Sequence, residues 1–183
     1  MKKIKRNASL IATSCVSSPT LNSKLPSMIN ISDKISTFRT AKASATLIIP
    51  YEILSQLNIK FDKNKICTEI VSKKGSIFHT AIIAGIFAIK NTPSIIPFCH
   101  PIKLDYANID INFELKNNTK KAIISILSTV HAHDKTGVEM EALTGVNVAA
   151  LTIYDMLKMY SQKIVIKEIK LIEKKGGKSD YCI

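Results

Sequence analysis

The chain has 183 residues, 46% of them apolar, and a formal net charge of +12. No apolar run approaches the roughly 18 to 20 residues that a bilayer-spanning helix needs, so the sequence predicts no membrane partner and one folded domain with its own core. The basic surplus points to a polyanionic partner, and the scattered Cys15, Cys67, Cys99 and Cys182, with no Cys-x-x-Cys pair, argue against a paired-cysteine zinc site and for reduced thiols.

Residues 1–27 carry Lys2, Lys3, Lys5, Arg6 and Lys24 with no acidic residue, and are rich in Ser, Thr and Asn. They read as a basic arm or a targeting leader, ahead of a catalytic domain over 28–183. A cytoplasmic location follows if the arm is a plain tail, and an organellar one, mitochondrial or plastid, if it is a transit peptide.

Ala43 to Ile49 is β-prone and stops at Pro50, which predicts a strand, and Tyr51 to Leu57 a short helix. Ser76 is a plausible N-cap for a helix over Ile77 to Lys90, whose apolar residues go all round and predict deep burial. Ile109, Ile111, Phe113 and Leu115 alternate with polar residues, as in a half-buried strand. A turn at Lys116 to Thr119 leads to a return strand over Ala122 to Val130. Gly137 to Tyr160 holds good helix formers, and Ile164 to Ile172 reads as a last strand broken by Gly176-Gly177. The order is that of an α+β, ferredoxin-like fold: a four-stranded antiparallel sheet with helices on one face. Its other face would need a cover, most simply a second copy of the chain.

Several short segments carry chemistry. Lys73-Lys74-Gly75-Ser76 opens the apolar helix, where backbone amides and a lysine could hold an anion; an exposed basic loop is the alternative. In Ile96-Pro97-Phe98-Cys99-His100-Pro101 two prolines stiffen a loop around a histidine able to act as acid or base, or to serve structure alone. His131 and His133 share a strand face by simple alternation and are weak candidates for a metal. On the long helix, Asp155 and Lys158 are three apart and share a face, as a tuned acid/base pair or a surface ion pair. Glu141 and Asp155 are fourteen residues apart, roughly 21 Å along a helix axis, so one chain cannot aim both at one atom. Lys174 to Ser179 adds a glycine-rich basic stretch suited to phosphate.

Together, KTGVEMEAL (135–143), AALTIYDM (149–156) with Lys158 just beyond, IPFCHP (96–101) and GGKS (176–179) resemble the cyclic pyranopterin monophosphate synthases, the C proteins of molybdenum cofactor biosynthesis, over about Ile29 to Ser179. The resemblance implies conversion of 3′,8-cyclo-7,8-dihydro-GTP to cyclic pyranopterin monophosphate with release of pyrophosphate, a lyase reaction. It also implies a hexamer, a trimer of dimers, with active sites between subunits. By the same resemblance Asp155, Lys158, Lys74 and His100 are catalytic. Phe98, Cys99, Met140 and Glu141 contact substrate, and Arg39 and Lys178 hold phosphates. No protein-held metal is implied, although Mg could ride on the substrate phosphates. Four positions depart from the family pattern: Asn30 and Ser76 where Asp is usual, Ile82 where Arg is usual, and Asp180 where Gly is usual. The loss of that Arg predicts altered triphosphate affinity.

Two rivals make different predictions. An RNA-binding sheet would need exposed aromatics and a Lys/Arg-Gly-Phe/Tyr strand motif, and the sequence, with 6% aromatics, lacks the motif, so no nucleic-acid partner is expected. A non-catalytic assembly subunit would have lost the Asp155, Lys158, Lys74 and His100 set.

Overall fold

The computed structural model describes residues 25–62, 67–116 and 121–183. Most of the basic arm and the turn after Lys116 therefore lie outside the described residues. The elements are β1 (Thr37–Pro50), α1 (Tyr51–Leu54), β2 (Asn58–Phe61), β3 (Cys67–Ser72), β4 (Gly75–Ser76), α2 (Ile77–Lys90), α3 (Thr92–Ile95), β5 (Leu104–Lys116), β6 (Lys121–Asp134), α4 (Glu139–Leu157), β7 (Val165–Lys175) and β8 (Tyr181–Cys182).

The α+β class stands, with antiparallel strands and helices on one sheet face. The main sheet, however, has five strands, in the order β5-β6-β1-β7-β8, where four were expected. The fifth is the two-residue β8, which pairs with β7 through Glu173–Cys182 and Lys174–Tyr181 after the chain turns back at the paired glycines. A second, three-stranded sheet, β2-β3-β4, was not foreseen. It folds the Lys73-Lys74 segment into a tight turn between β3 and β4.

The period-two pattern of β1 sets the layers. Ala41, Ala43, Ala45, Leu47 and Ile49 are fully buried beneath the helices, and alternate with half-buried Lys42, Ser44 and Thr46 on the outer face. β6 repeats the arrangement with Ala122, Ile124, Ile126, Val130 and Ala132 facing inward. Three alanines in β1 let α4 lie close to the sheet, where Ala142, Val146, Ala149, Ala150 and Ile153 close the core. α4 also crosses α2 at short range. A Cβ on Gly145 would stand 2.6 Å from Ile89 Cγ1, so only glycine fits there.

Two expectations about α2 need correction. The helix is not buried all round: Ile83 is 70% exposed and Phe87 68%, while Ile77, Ala81, Ala88 and Ile89 face the core. The apolar surface awaiting a cover thus lies chiefly on α2. The outer sheet face, with Asn108, Asp110, Ser125 and Thr129 beside the β1 residues, is largely polar. Nor does the Ser76 side chain cap the helix, although Ser76 does occupy the N-cap position. The amides of Phe78 and His79 donate instead to the carboxylate of Glu69 from β3, at 2.8 and 3.2 Å. The helix start that could have held an anion is already filled by a carboxylate of the chain itself.

Boundaries moved for identifiable reasons. β1 begins at Thr37 because Thr37 to Lys42 pair with Asp134 to Thr129 of β6, which a polar local sequence does not announce. α1 stops at Leu54, three residues early. α4 runs from Glu139 to Leu157, inside the expected span. His131 and His133 do share a strand face, but they meet Phe38, not a metal cluster. Among the described residues, no three His, Cys, Asp or Glu side chains gather to hold an ion, and no helix is long and apolar enough to cross a membrane.

Candidate active site

The candidate residues fall into two groups, one at each end of α4. At its C-terminal end, Asp155 is clamped between two lysines. Its Oδ1 lies 2.7 Å from Lys158 Nζ, one helical turn on, and its Oδ2 lies 2.6 Å from Lys74 Nζ. Lys74 Nζ also donates to the Asp155 carbonyl at 3.0 Å, one of the carbonyls left unpaired near a helix C-terminus. A second tether sits next to it, where the Lys73 amide donates to the Tyr160 hydroxyl at 3.1 Å. The Lys158 and then the Lys74 hydrogen bonds hold Asp155 down to about 2. Asp155 in turn raises Lys158. All three side chains remain about half exposed. The cluster therefore presents two ammonium groups and a carboxylate too acidic to take up a proton near neutrality. Only the ammonium groups of the cluster have protons to give, and its positive charges outnumber its one negative charge.

At the other end of α4 lies the loop from Ile96 to Pro101. Cys99 donates its thiol hydrogen to Glu141 Oε1 at 3.5 Å. Glu141 is only 1% exposed, and among the described residues its Oε2 has no hydrogen-bond partner. Burial, followed by the charge of neighbouring Glu139, pushes the Glu141 carboxyl above its ordinary value, against the pull of its own amide and of Cys99. Burial and then Glu141 push the Cys99 thiol up to about 11, so it is no nucleophile. His100 Nε2 lies 2.8 Å from the Ile29 carbonyl. A carbonyl only accepts, so Nε2 carries the proton, and in the neutral ring Nδ1 is left as the basic atom. Phe98, in this loop, and Met140, in the first turn of α4, expose their side chains.

His100 and Phe98 line a cavity of about 270 Å³ with Ile29, Lys34 and Thr136. Lys34 and Thr136 also wall a larger cleft of about 670 Å³, lined by Arg39, Lys135, Lys174 and Lys178. Among the described residues, Asp33 and Glu139 are its only acidic lining, against five cationic side chains including Lys34, so the cleft is cationic. Its floor depends on the glycine pair. Gly176 has φ +84°, and a Cβ there would run into the Phe38 carbonyl, while Thr37 Oγ1 donates to the Gly176 carbonyl at 2.7 Å. Arg39 Nε donates to the Asp134 carbonyl at 3.3 Å, and its guanidinium lies over Gly177.

The structure thus joins Asp155, Lys158 and Lys74 in one cluster. It groups His100, Phe98, Cys99 and Glu141 around one loop, with Arg39 and Lys178 in the adjoining cleft. Within one chain it does not bring the two groups together, since α4 is continuous between Glu141 and Asp155 and keeps them roughly 21 Å apart. Sequence reasoning missed Glu69, Tyr160 and Lys34. Lys135 and Lys174 lay within segments already noted but had no role assigned. Of the departures from the family pattern, Asn30 accepts from the Ser32 amide at 2.8 Å, Asp180 accepts from the Gly176 amide at 3.1 Å, and Ile82 packs against the core.

The chain is 50% identical over 171 residues to molybdenum cofactor biosynthesis protein 1 of Dictyostelium discoideum, covering 87% of this chain but only 26% of that longer protein. It is 42% identical over 156 residues to the cyclic pyranopterin monophosphate synthase of Xanthomonas axonopodis pv. citri, covering 85% of this chain and 87% of the relative. It is 44% identical over 155 residues to the Staphylococcus carnosus protein of the same name, covering 84% and 88%. The model of the MoaC family matches residues 28–177, which takes in every candidate residue except Lys178, and the chain belongs to the MoaC family.

Proposed function

We propose that this chain is a cyclic pyranopterin monophosphate synthase, converting 3′,8-cyclo-7,8-dihydro-GTP to cyclic pyranopterin monophosphate and pyrophosphate. The observation that carries the reading is the Lys74–Asp155–Lys158 cluster, an acid and anion site, at the far end of the helix whose start adjoins a cationic cleft. Asp155, Lys158, Lys74 and His100 are the catalytic set. Phe98, Cys99, Met140 and Glu141 contact the ring system, and Arg39 and Lys178 take phosphate oxygens.

Each group has a chemical task. His100 Nδ1 is the acceptor able to take a proton as the purine-derived ring opens and the pyran closes. When a sugar hydroxyl attacks the α-phosphorus, its proton leaves for a base, a new P–O bond forms, and the bond to the β-phosphate oxygen breaks. Pyrophosphate departs with that electron pair, and lysine ammonium groups stabilise the charge on the leaving oxygens. Among the described residues no cluster suits a divalent ion, so Mg would be carried by triphosphate oxygens.

The separation along α4 supports sites shared between chains, with the Asp155 end of one helix meeting the His100 end of a neighbour's. The exposed Ile83 and Phe87 on α2 support self-association, and a hexamer built as a trimer of dimers is the arrangement we favour. The four long strands with α2 and α4 on one face support a ferredoxin-like core, with β8 as an addition at its edge. The test supplies the cyclised GTP intermediate to purified protein and measures pyrophosphate. Asp155→Asn should fold and assemble but lose turnover. Full turnover in that variant, or none in the native chain, refutes the reading.

A further inference from the structure

Glu69 belongs to no motif that the proposed reaction uses, yet it is a buried ionised side chain, 5% exposed, with an unusually full set of partners. Its Oε1 accepts from the amide of Ile70 on its own strand at 2.7 Å and from that of Phe78 in α2 at 2.8 Å. Its Oε2 accepts from the His79 amide at 3.2 Å and from the Ser76 hydroxyl of β4, and lies 2.5 Å from His79 Nδ1. Burial works against the charge, but the hydrogen bonds from Ser76, Phe78, Ile70 and His79 outweigh it and keep the carboxyl below its ordinary range.

One carboxylate thus ties β3, β4 and α2 together, and the turn they enclose is the one that carries Lys74. Within the turn, the Lys74 amide donates to Ser72 Oγ at 3.1 Å, and Gly75 takes φ +108°. Lys74 then reaches across to Asp155, 81 residues away in the chain. A cap serving α2 alone would ordinarily come from the N-cap residue, Ser76. Here the capping group comes from another strand, so capping the helix and fixing the turn are done by one set of bonds.

We infer that Glu69 is a positioning residue for Lys74: it fixes the β3–β4 turn so that the Lys74 ammonium stays on the Asp155 carboxylate. The role rests on the activity proposed above, but its main test needs no turnover. The Asp155 carboxyl is followed by NMR titration of isotope-labelled aspartates, its signal assigned through Asp155→Asn. Lys74→Met sets the full displacement of its midpoint. In Glu69→Gln the midpoint should climb from about 2 toward the Lys74→Met value. On the cyclised GTP substrate, kcat should fall about tenfold or more with little change in KM, a fraction of the roughly 10²- to 10⁴-fold that a proton-transfer group supplies. A lower melting temperature with an unmoved Asp155 midpoint would reduce Glu69 to a helix cap and overturn the inference. Ser76→Ala removes the β4 contact to Glu69, together with the Ser76–His79 hydrogen bond, and leaves the three backbone amides on the carboxylate; it decides by the same titration should Glu69→Gln not fold. If the native chain makes no pyrophosphate, the proposed activity fails while the titration still decides the role of Glu69.

Discussion

Replacing Glu141 with glutamine should make the protein more stable at neutral pH while harming its chemistry. Glu141 is essentially sealed from water, one oxygen accepts a weak thiol hydrogen bond, and the other has no partner among the described residues. An ionised carboxylate there has given up hydration for only weak compensation, from the Cys99 thiol and its own amide. Glutamine keeps the shape and the acceptor for Cys99 and removes the charge. Its amide nitrogen inherits the unpartnered place, so only part of the penalty is recovered, about 1–2 kcal/mol out of the larger cost of an unsatisfied buried charge. At roughly 2–4 °C per kcal/mol for a chain of this size, the melting temperature should rise by several degrees.

The pH dependence gives a second check on the same variant. The folded-state pKa of Glu141 lies above its unfolded value, so between the two the folded state holds a proton that the unfolded state has released. This contribution to native stability is full below the ordinary glutamate range and declines as pH rises toward the folded pKa. The advantage of Glu141→Gln should therefore be largest at about pH 7 and vanish by about pH 4, read by denaturant unfolding across that range. A variant less stable than the native chain at neutral pH, or a difference that does not shrink on acidification, would show that the charge is compensated and the reasoning wrong.

Two further predictions follow from backbone and surface. Gly176→Ala forces a left-handed φ on alanine and drives its Cβ at the Phe38 carbonyl, so it should cost at least about 1–2 kcal/mol by thermal melting and raise KM by moving the cleft floor. Phe87→Asp puts a charge on the open face of α2 and should lower the assembly mass in analytical ultracentrifugation; an unchanged mass would clear that face of any role in self-association.

What the sequence disclosed was local. The alternation of Ile109 to Leu115, the long run into Asp155 and the glycine break after β7 are all written in neighbouring residues, and the structure has each. What stayed hidden depends on residues far apart in the chain. The polar start of β1 is a strand only because β6 offers it a ladder. The apolar girdle of α2 looks like burial, since hydrophobicity alone does not say whether the covering surface belongs to the same chain. Lys74 was picked out for its place beside a helix start, an anion-binding position in its own right, yet its actual partner is Asp155. The carboxylate that fills the helix start, Glu69, sits on an earlier strand where no spacing rule would seek it.

The unbroken course of α4 has a geometric consequence. Fourteen residues at 3.6 per turn fall about 40° short of four full rotations, so Glu141 and Asp155 project from nearly the same side of the rod although they stand at its opposite ends. One residue inserted between them would turn one end about 100° from its present bearing and move it about 1.5 Å along the axis, while most changes of residue type along the stretch would leave both untouched. The spacing of α4 is therefore a dimension of the enzyme, and its constancy should matter more than the identity of most residues that make it up.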